Sequence, residues 1–96
     1  MRELTTDEQE KLRALERLLR TEVPPERFSC DGLYQEGRMC IEPGEGCWYV
    51  FFREAGLGED VTVHPDFDEA ALQLIRNVAP SVEAEERMRR CFSGEA

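Results

Sequence analysis

The apolar positions change their spacing along the chain, and the changes mark out the elements. Leu12, Leu15, Leu18 and Leu19 recur at helical intervals, with Glu10, Arg13, Glu16, Arg17 and Arg20 between them. That stripe predicts an amphipathic helix over about 6–20. Thr5 or Thr6 stands where a cap belongs, with Glu8 or Gln9 three residues on. Val23 before Pro24 cannot continue the helix, because a following proline pushes its backbone out of the α region.

From Arg27 the spacing shortens to two. Strands are predicted at about 27–33, 38–42, 47–54 and 60–64, with turns at Tyr34–Gly37, Pro43–Gly46 and Ala55–Glu59. The strongest is 47–54, where Trp48, Tyr49, Val50, Phe51 and Phe52 are contiguous aromatic and β-branched residues. Helical spacing returns after Pro65. Phe67, Ala71, Leu74, Ile75 and Val78 line one side of a helix over about 66–79, capped by Asp66. Ser81 opens a shorter helix over about 81–92, whose apolar side is Val82, Ala84, Met88, Cys91 and Phe92.

Helices and strands are therefore segregated, the signature of an α+β domain. Short links between successive strands favour a four-stranded antiparallel meander, with the N-terminal helix and the one or two C-terminal helices packed on one face. Residues 1–96 form a single domain on this reading. Alternation assigns Phe28, Cys30, Met39, Ile41, Trp48, Val50, Phe52, Val61 and Val63 to the helix side. It assigns Ser29, Asp31, Arg38, Cys40, Glu42, Tyr49, Phe51, Arg53, Asp60, Thr62 and His64 to the open side. Both faces of 47–54 are apolar, so the polar tips of Tyr49 and Arg53 decide its orientation.

Charge sharpens the picture. The 96 residues carry a net charge of −9. Residues 1–20 and 73–96 are each neutral, whereas 21–47 carry −4 and 48–72 carry −5. The whole excess falls on the strands and the entry to the second long helix. Such a surface repels nucleic acid, whose capture needs basic groups on phosphate. It suits a basic protein partner, which it would attract at a distance. A solvated acidic surface that only keeps the domain soluble has the same composition.

Candidate chemistry is sparse. Cys30, Cys40, Cys47 and Cys91 have no close pairing and His64 is the sole histidine, so no metal site is expected. His64 has no nucleophile and orienting acid in a recognisable arrangement, and Ser29, Ser81 and Ser93 lie in no nucleophile motif. No glycine pattern cradles a phosphate, so no cofactor is expected. The polar N-terminus and the short apolar runs lead to the expectation of a cytoplasmic protein with no membrane span and reduced thiols.

The stretch from Pro24 to Ile75 resembles small immunity proteins of bacterial polymorphic toxin systems. The features that carry this are the leading helix, the run from Gly46 to Gly56 (GCWYVFFREAG), and Phe67-Asp68-Glu69-Ala70 opening the next helix. The resemblance spans about residues 10–79. It implies a cytosolic antidote that binds one cognate toxin domain and blocks its active site, and the acidic surface suits a toxin that is basic there. Asp31, Glu36, Glu42, Glu45, Glu54, Glu59 and Asp60 would supply charge to such an interface, with Tyr49 and Phe51 as its apolar centre. An adaptor or chaperone module, or a subunit of a larger assembly, would share this composition. A small enzyme would instead need an enclosed pocket bringing His64 against a cysteine or carboxylate.

Overall fold

The structure, a computed structural model, describes residues 4–30 and 35–94. The chain runs α1 (Thr6–Arg20), a single 3-10 turn (Pro25–Arg27), β1 (Phe28–Ser29), β2 (Met39–Pro43), β3 (Trp48–Glu54), β4 (Leu57–His64), α2 (Phe67–Val78) and α3 (Val82–Phe92). It is an α+β domain with a four-stranded sheet in the order β1-β2-β3-β4.

Each helix starts where a side chain can satisfy its free amide groups. Thr5 accepts from the Glu8 N–H at 3.1 Å while the Glu8 carboxylate accepts from the Thr5 N–H at 2.9 Å, a full capping box. Asp66 accepts from Glu69 N–H at 2.9 Å and Ser81 from Ala84 N–H at 3.1 Å. The α2 helix lies across β2 and β3, and α3 packs against both α1 and α2. Leu12, Leu15 and Leu19 of α1, Leu74 and Ile75 of α2, and Met88 of α3 meet Phe28, Ile41, Trp48 and Val50 of the sheet in one core.

One cross-link outside the core ties α3 to the end of α1. The Arg87 guanidinium grips Glu22 with Nε at 2.9 and 3.2 Å and Nη2 at 2.5 Å. The Glu22 carboxyl is held below its ordinary value of 4.5, first by that hydrogen bond and then by the Arg87 charge, against an opposing effect of desolvation. A depressed folded-state value means stability that is present above pH 4.5 and is lost as pH falls through the folded value. The stability difference between wild type and Glu22→Gln should therefore be present at neutral pH and vanish on acidification. Urea melts at about pH 7 and about pH 3 would check it. A difference independent of pH would show that the pair contributes by packing alone.

The sheet departs from the expected meander in two places. First, β1 and β2 are parallel, with Phe28 beside Met39 and Ser29 beside Cys40. Gly37, expected at the end of the turn, and Arg38, expected to open the second strand, both lie along β3: Gly37 N–H donates to the Arg53 carbonyl at 2.8 Å and Arg53 N–H to the Arg38 carbonyl at 3.1 Å. The first strand is also two residues long and not 27–33, although residues 31–33 lie outside the described segment.

Second, β4 begins at Leu57, not 60. The β3–β4 loop is only Ala55 and Gly56, both at positive φ (53° and 77°). That is the twist a two-residue hairpin needs. The register then slips by one residue: Glu59 pairs with Phe52, but Thr62 pairs with Val50. Asp60 and Val61 thus share the space opposite Phe51, a bulge with Asp60 at φ 52°. Beyond it the alternation is the reverse of the one expected. Thr62 and His64 lie opposite Val50 and Trp48, on the helix side, and Val61 and Val63 lie on the open side.

Ala55 has a Cβ where the hairpin wants none or an Asn-like side chain. Ala55→Asn should raise stability by about 1 kcal/mol, read as a higher urea midpoint with unchanged slope. A destabilised variant would argue against the tight hairpin.

Candidate partner-binding surface

The open face of the sheet is built by Cys40 and Glu42 of β2, Tyr49, Phe51 and Arg53 of β3, and Val61 and Val63 of β4, all out of phase with the core-facing Trp48 and Val50. Cys40 and Phe51 sit directly opposite each other and are buried, Phe51 at 7 % exposure. The ring of Phe51 lies beside Gly58, where a Cβ would meet it in ordinary van der Waals contact at 3.4 Å. Val61 and Val63 are 52 % and 62 % exposed. Tyr49 pairs directly with Val63 and is half-buried. The apolar strip open to a partner is therefore Tyr49, Val61 and Val63, with Phe51 beneath it as support.

At one end of the strip, Gly44 N–H donates to the Cys47 carbonyl at 2.8 Å and closes the β2–β3 turn. The Tyr49 ring folds over this turn. A Cβ on Gly44 would come within 2.5 Å of the ring and 2.9 Å of Cys47 Sγ, so any larger residue there would displace one of these side chains. The Tyr49 phenol is held above its ordinary range by a hydrogen bond with Cys47, then by the Cys47 charge, desolvation and the Glu42 carboxylate. It remains a neutral hydrogen-bonding tip. Glu42 is its cross-strand neighbour, and Glu45 is exposed in the turn.

At the other end, roughly 20 Å away along the seven residues of β3, stand Glu36 and Asp60, with Glu54 and Glu59 at the same hairpin end on the parity of Trp48 and Val50. Glu36 braces the hairpin loop. Its Oε1 accepts from Gly56 N–H at 2.7 Å and lies 4.0 Å from Arg53 Nε. The Glu59 carboxyl is held above its ordinary value, first by the charge of Glu54, then by desolvation, a hydrogen bond with Glu54, and the charge of Asp60. Here the carboxylates crowd one another and the field is strongly negative.

The acids singled out in the sequence thus form two groups, Glu42 and Glu45 beside Tyr49, and Glu36, Glu54, Glu59 and Asp60 at the far hairpin. Asp31 lies outside the described residues. Simple alternation assigns Val61 and Val63 to the core. Only the bulge at Asp60 exposes them, and no glycine in the sequence announces it.

His64 is on the helix side, half-buried, with Nε2 2.8 Å from Thr62 Oγ1, while Thr62 Oγ1 donates to the Val50 carbonyl at 3.4 Å. A proton on Nε2 lets both bonds coexist. Glu69, Leu72, Gln73, Arg76, Glu85 and Arg89 complete a shallow groove of about 250 Å³, which holds no serine, threonine or cysteine. The four cysteines form no disulfide. Among the described residues no group of three or more His, Cys, Asp or Glu gathers as a metal site requires, and no helix is long and apolar enough to cross a membrane. Comparison with known protein families, with characterised proteins and with solved structures finds no match.

Proposed function

We propose that this chain is a protein-binding domain that docks a basic partner on the open face of its sheet, and that it acts as an immunity protein, covering the active site of a toxin domain. One observation carries the reading: an apolar strip of Tyr49, Val61 and Val63 lies between two acidic hairpin ends. Hot spots of protein interfaces are aromatic and apolar groups ringed by polar ones, and acidic rims speed the arrival of basic partners. The half-buried Tyr49, with its ring braced on Gly44 and its phenol kept neutral, is a pre-ordered anchor of that kind.

The test is co-expression with the protein encoded beside this one, followed by co-purification and an activity assay of that protein. A stoichiometric complex that silences the partner, and that is lost in a folded Tyr49→Ala/Val63→Glu double variant, is the expected result. A complex unaffected by the double variant would place the interface elsewhere.

The same assay separates binding from catalysis. His64→Ala should leave inhibition within a few-fold of wild type, because its ring is engaged with Thr62 on the helix side, away from the open face. Complete loss of inhibition in a folded His64→Ala variant would mean that the domain works by chemistry.

A further inference from the structure

The outer edge of the sheet has a pairing pattern of its own. The strand order leaves β4 at an edge. Arg53 directs its N–H and C=O to Arg38 and Gly37 on the β2 side. Alternation along β3 then turns the backbone groups of Phe52, Val50 and Trp48 toward β4. Their partners Glu59, Thr62 and His64 are correspondingly turned inward to β3, and the N–H and C=O of Val61 and Val63 point out past the edge. Among the described residues, no backbone bond from outside the sheet reaches either one. Both side chains are exposed as well.

We propose that β4 pairs antiparallel with β4 of a second copy of this chain, centred on Thr62, to make one continuous sheet. The register follows from which backbone groups are available. Centring on Thr62 sets Val61 opposite Val63 of the second copy, and Val63 opposite its Val61. Outward groups then meet outward groups at both positions, and each pair exchanges two hydrogen bonds. Centring on Val61 would set Val63 against Glu59, whose backbone is turned to β3. Centring on Val63 would set Val61 against Pro65, which has no N–H to donate. The chosen register also places Asp60 opposite His64 of the second copy, so the acid that normally guards an edge strand meets no like charge there. The two-fold axis stands normal to the sheet, as an isologous contact requires. It keeps both open faces on the same side and joins their apolar strips.

Each copy carries −9, so long-range repulsion opposes the pairing and salt should strengthen it. This is opposite to the salt response expected for capture of a basic partner. The pairing is measured on the chain alone, so its failure leaves the partner-binding reading untouched.

Sedimentation velocity on the full chain, from micromolar to millimolar concentration at low and high salt, tests it. The expected result is a rise toward a doubled mass that is more complete at high salt. Val63→Glu should stay monomeric with an unchanged melt, since the side chain is exposed. Val63→Pro, which removes an outward N–H and fixes the local φ, should do the same; should it fail to fold, Val63→Glu alone decides. A wild type that is monomeric throughout, or a Val63→Glu variant that still dimerises, overturns the proposal. So does a monomeric wild type whose Val61 and Val63 amides gain exchange protection only when the neighbouring-gene protein is added, because the edge then takes a strand of that partner.

Discussion

Trp48→Ala should destabilise the domain by about 3–5 kcal/mol, the range for truncating a large core aromatic. Trp48 is 9 % exposed at the start of β3. Its ring meets Phe67 edge-on at 5.0 Å between centroids, and Phe67 in turn meets Phe92 at 6.1 Å with Lys11 Nζ 5.8 Å from its ring. One side chain thus joins the sheet to the start of α2, and through it to the end of α3 and to α1. Removing it takes the sheet's member from an aromatic chain that no neighbouring strand residue can replace, since Pro43 and His64 flank it. A domain of this size has roughly 5–15 kcal/mol in total, so the variant should sit near its unfolding threshold. Urea unfolding followed by circular dichroism measures the loss, and Trp48→Phe should recover much of it. A Trp48→Ala variant that melts like wild type would place the ring outside the core and reverse the facing of β3.

The facing of β3 was legible because Tyr49 and Arg53 have polar tips, and the structure pairs the opposite parity, Val50, with the buried Ile41. The helices were legible for local reasons, since Thr5, Asp66 and Ser81 are capping residues beside apolar stripes. What escaped the sequence depends on contacts distant along the chain. The parallel β1–β2 pair joins Phe28 and Ser29 to Met39 and Cys40, a long-range pairing that local turn signals do not encode. The bulge depends on Asp60 adopting positive φ, which aspartate tolerates but does not demand. A single extra residue there exchanges the faces of Val61 and Val63 with those of Thr62 and His64, because the side-chain period of a strand is two. The acidic character of the strand region was plain in the charge distribution. Its division into two ends, and the diversion of Glu36 to the Gly56 amide, required the hairpin geometry.

That division makes the kinetics of partner capture a sharp test. Glu45→Gln with Glu59→Gln neutralises one exposed acid at each end of the strip, and neither residue bears on the core. Rim charges act on the encounter before contact, so the double variant should associate more slowly and with a shallower salt dependence, while its dissociation rate hardly changes. Val63→Ala and Tyr49→Ala should do the opposite. They remove desolvated contact area at the centre of the strip, so association stays near wild type and dissociation accelerates. The cost should be about 2 kcal/mol or more for Tyr49, the anchor, and less for the smaller Val63. Phe51→Ala is a poor probe of binding, because a ring at 7 % exposure packed over Gly58 supports the fold before it meets any partner. Screening provides the internal control. The Debye length is about 8 Å at about 0.15 M salt, so steering by acids roughly 20 Å apart should fade as salt rises from about 0.05 to about 0.5 M. Stopped-flow binding with the neighbouring-gene protein over that range reads both rates. An association rate indifferent to salt, or a Tyr49→Ala variant that releases the partner no faster than wild type, would remove the acidic ends and the apolar strip from the interface and leave the charge as a solubility device.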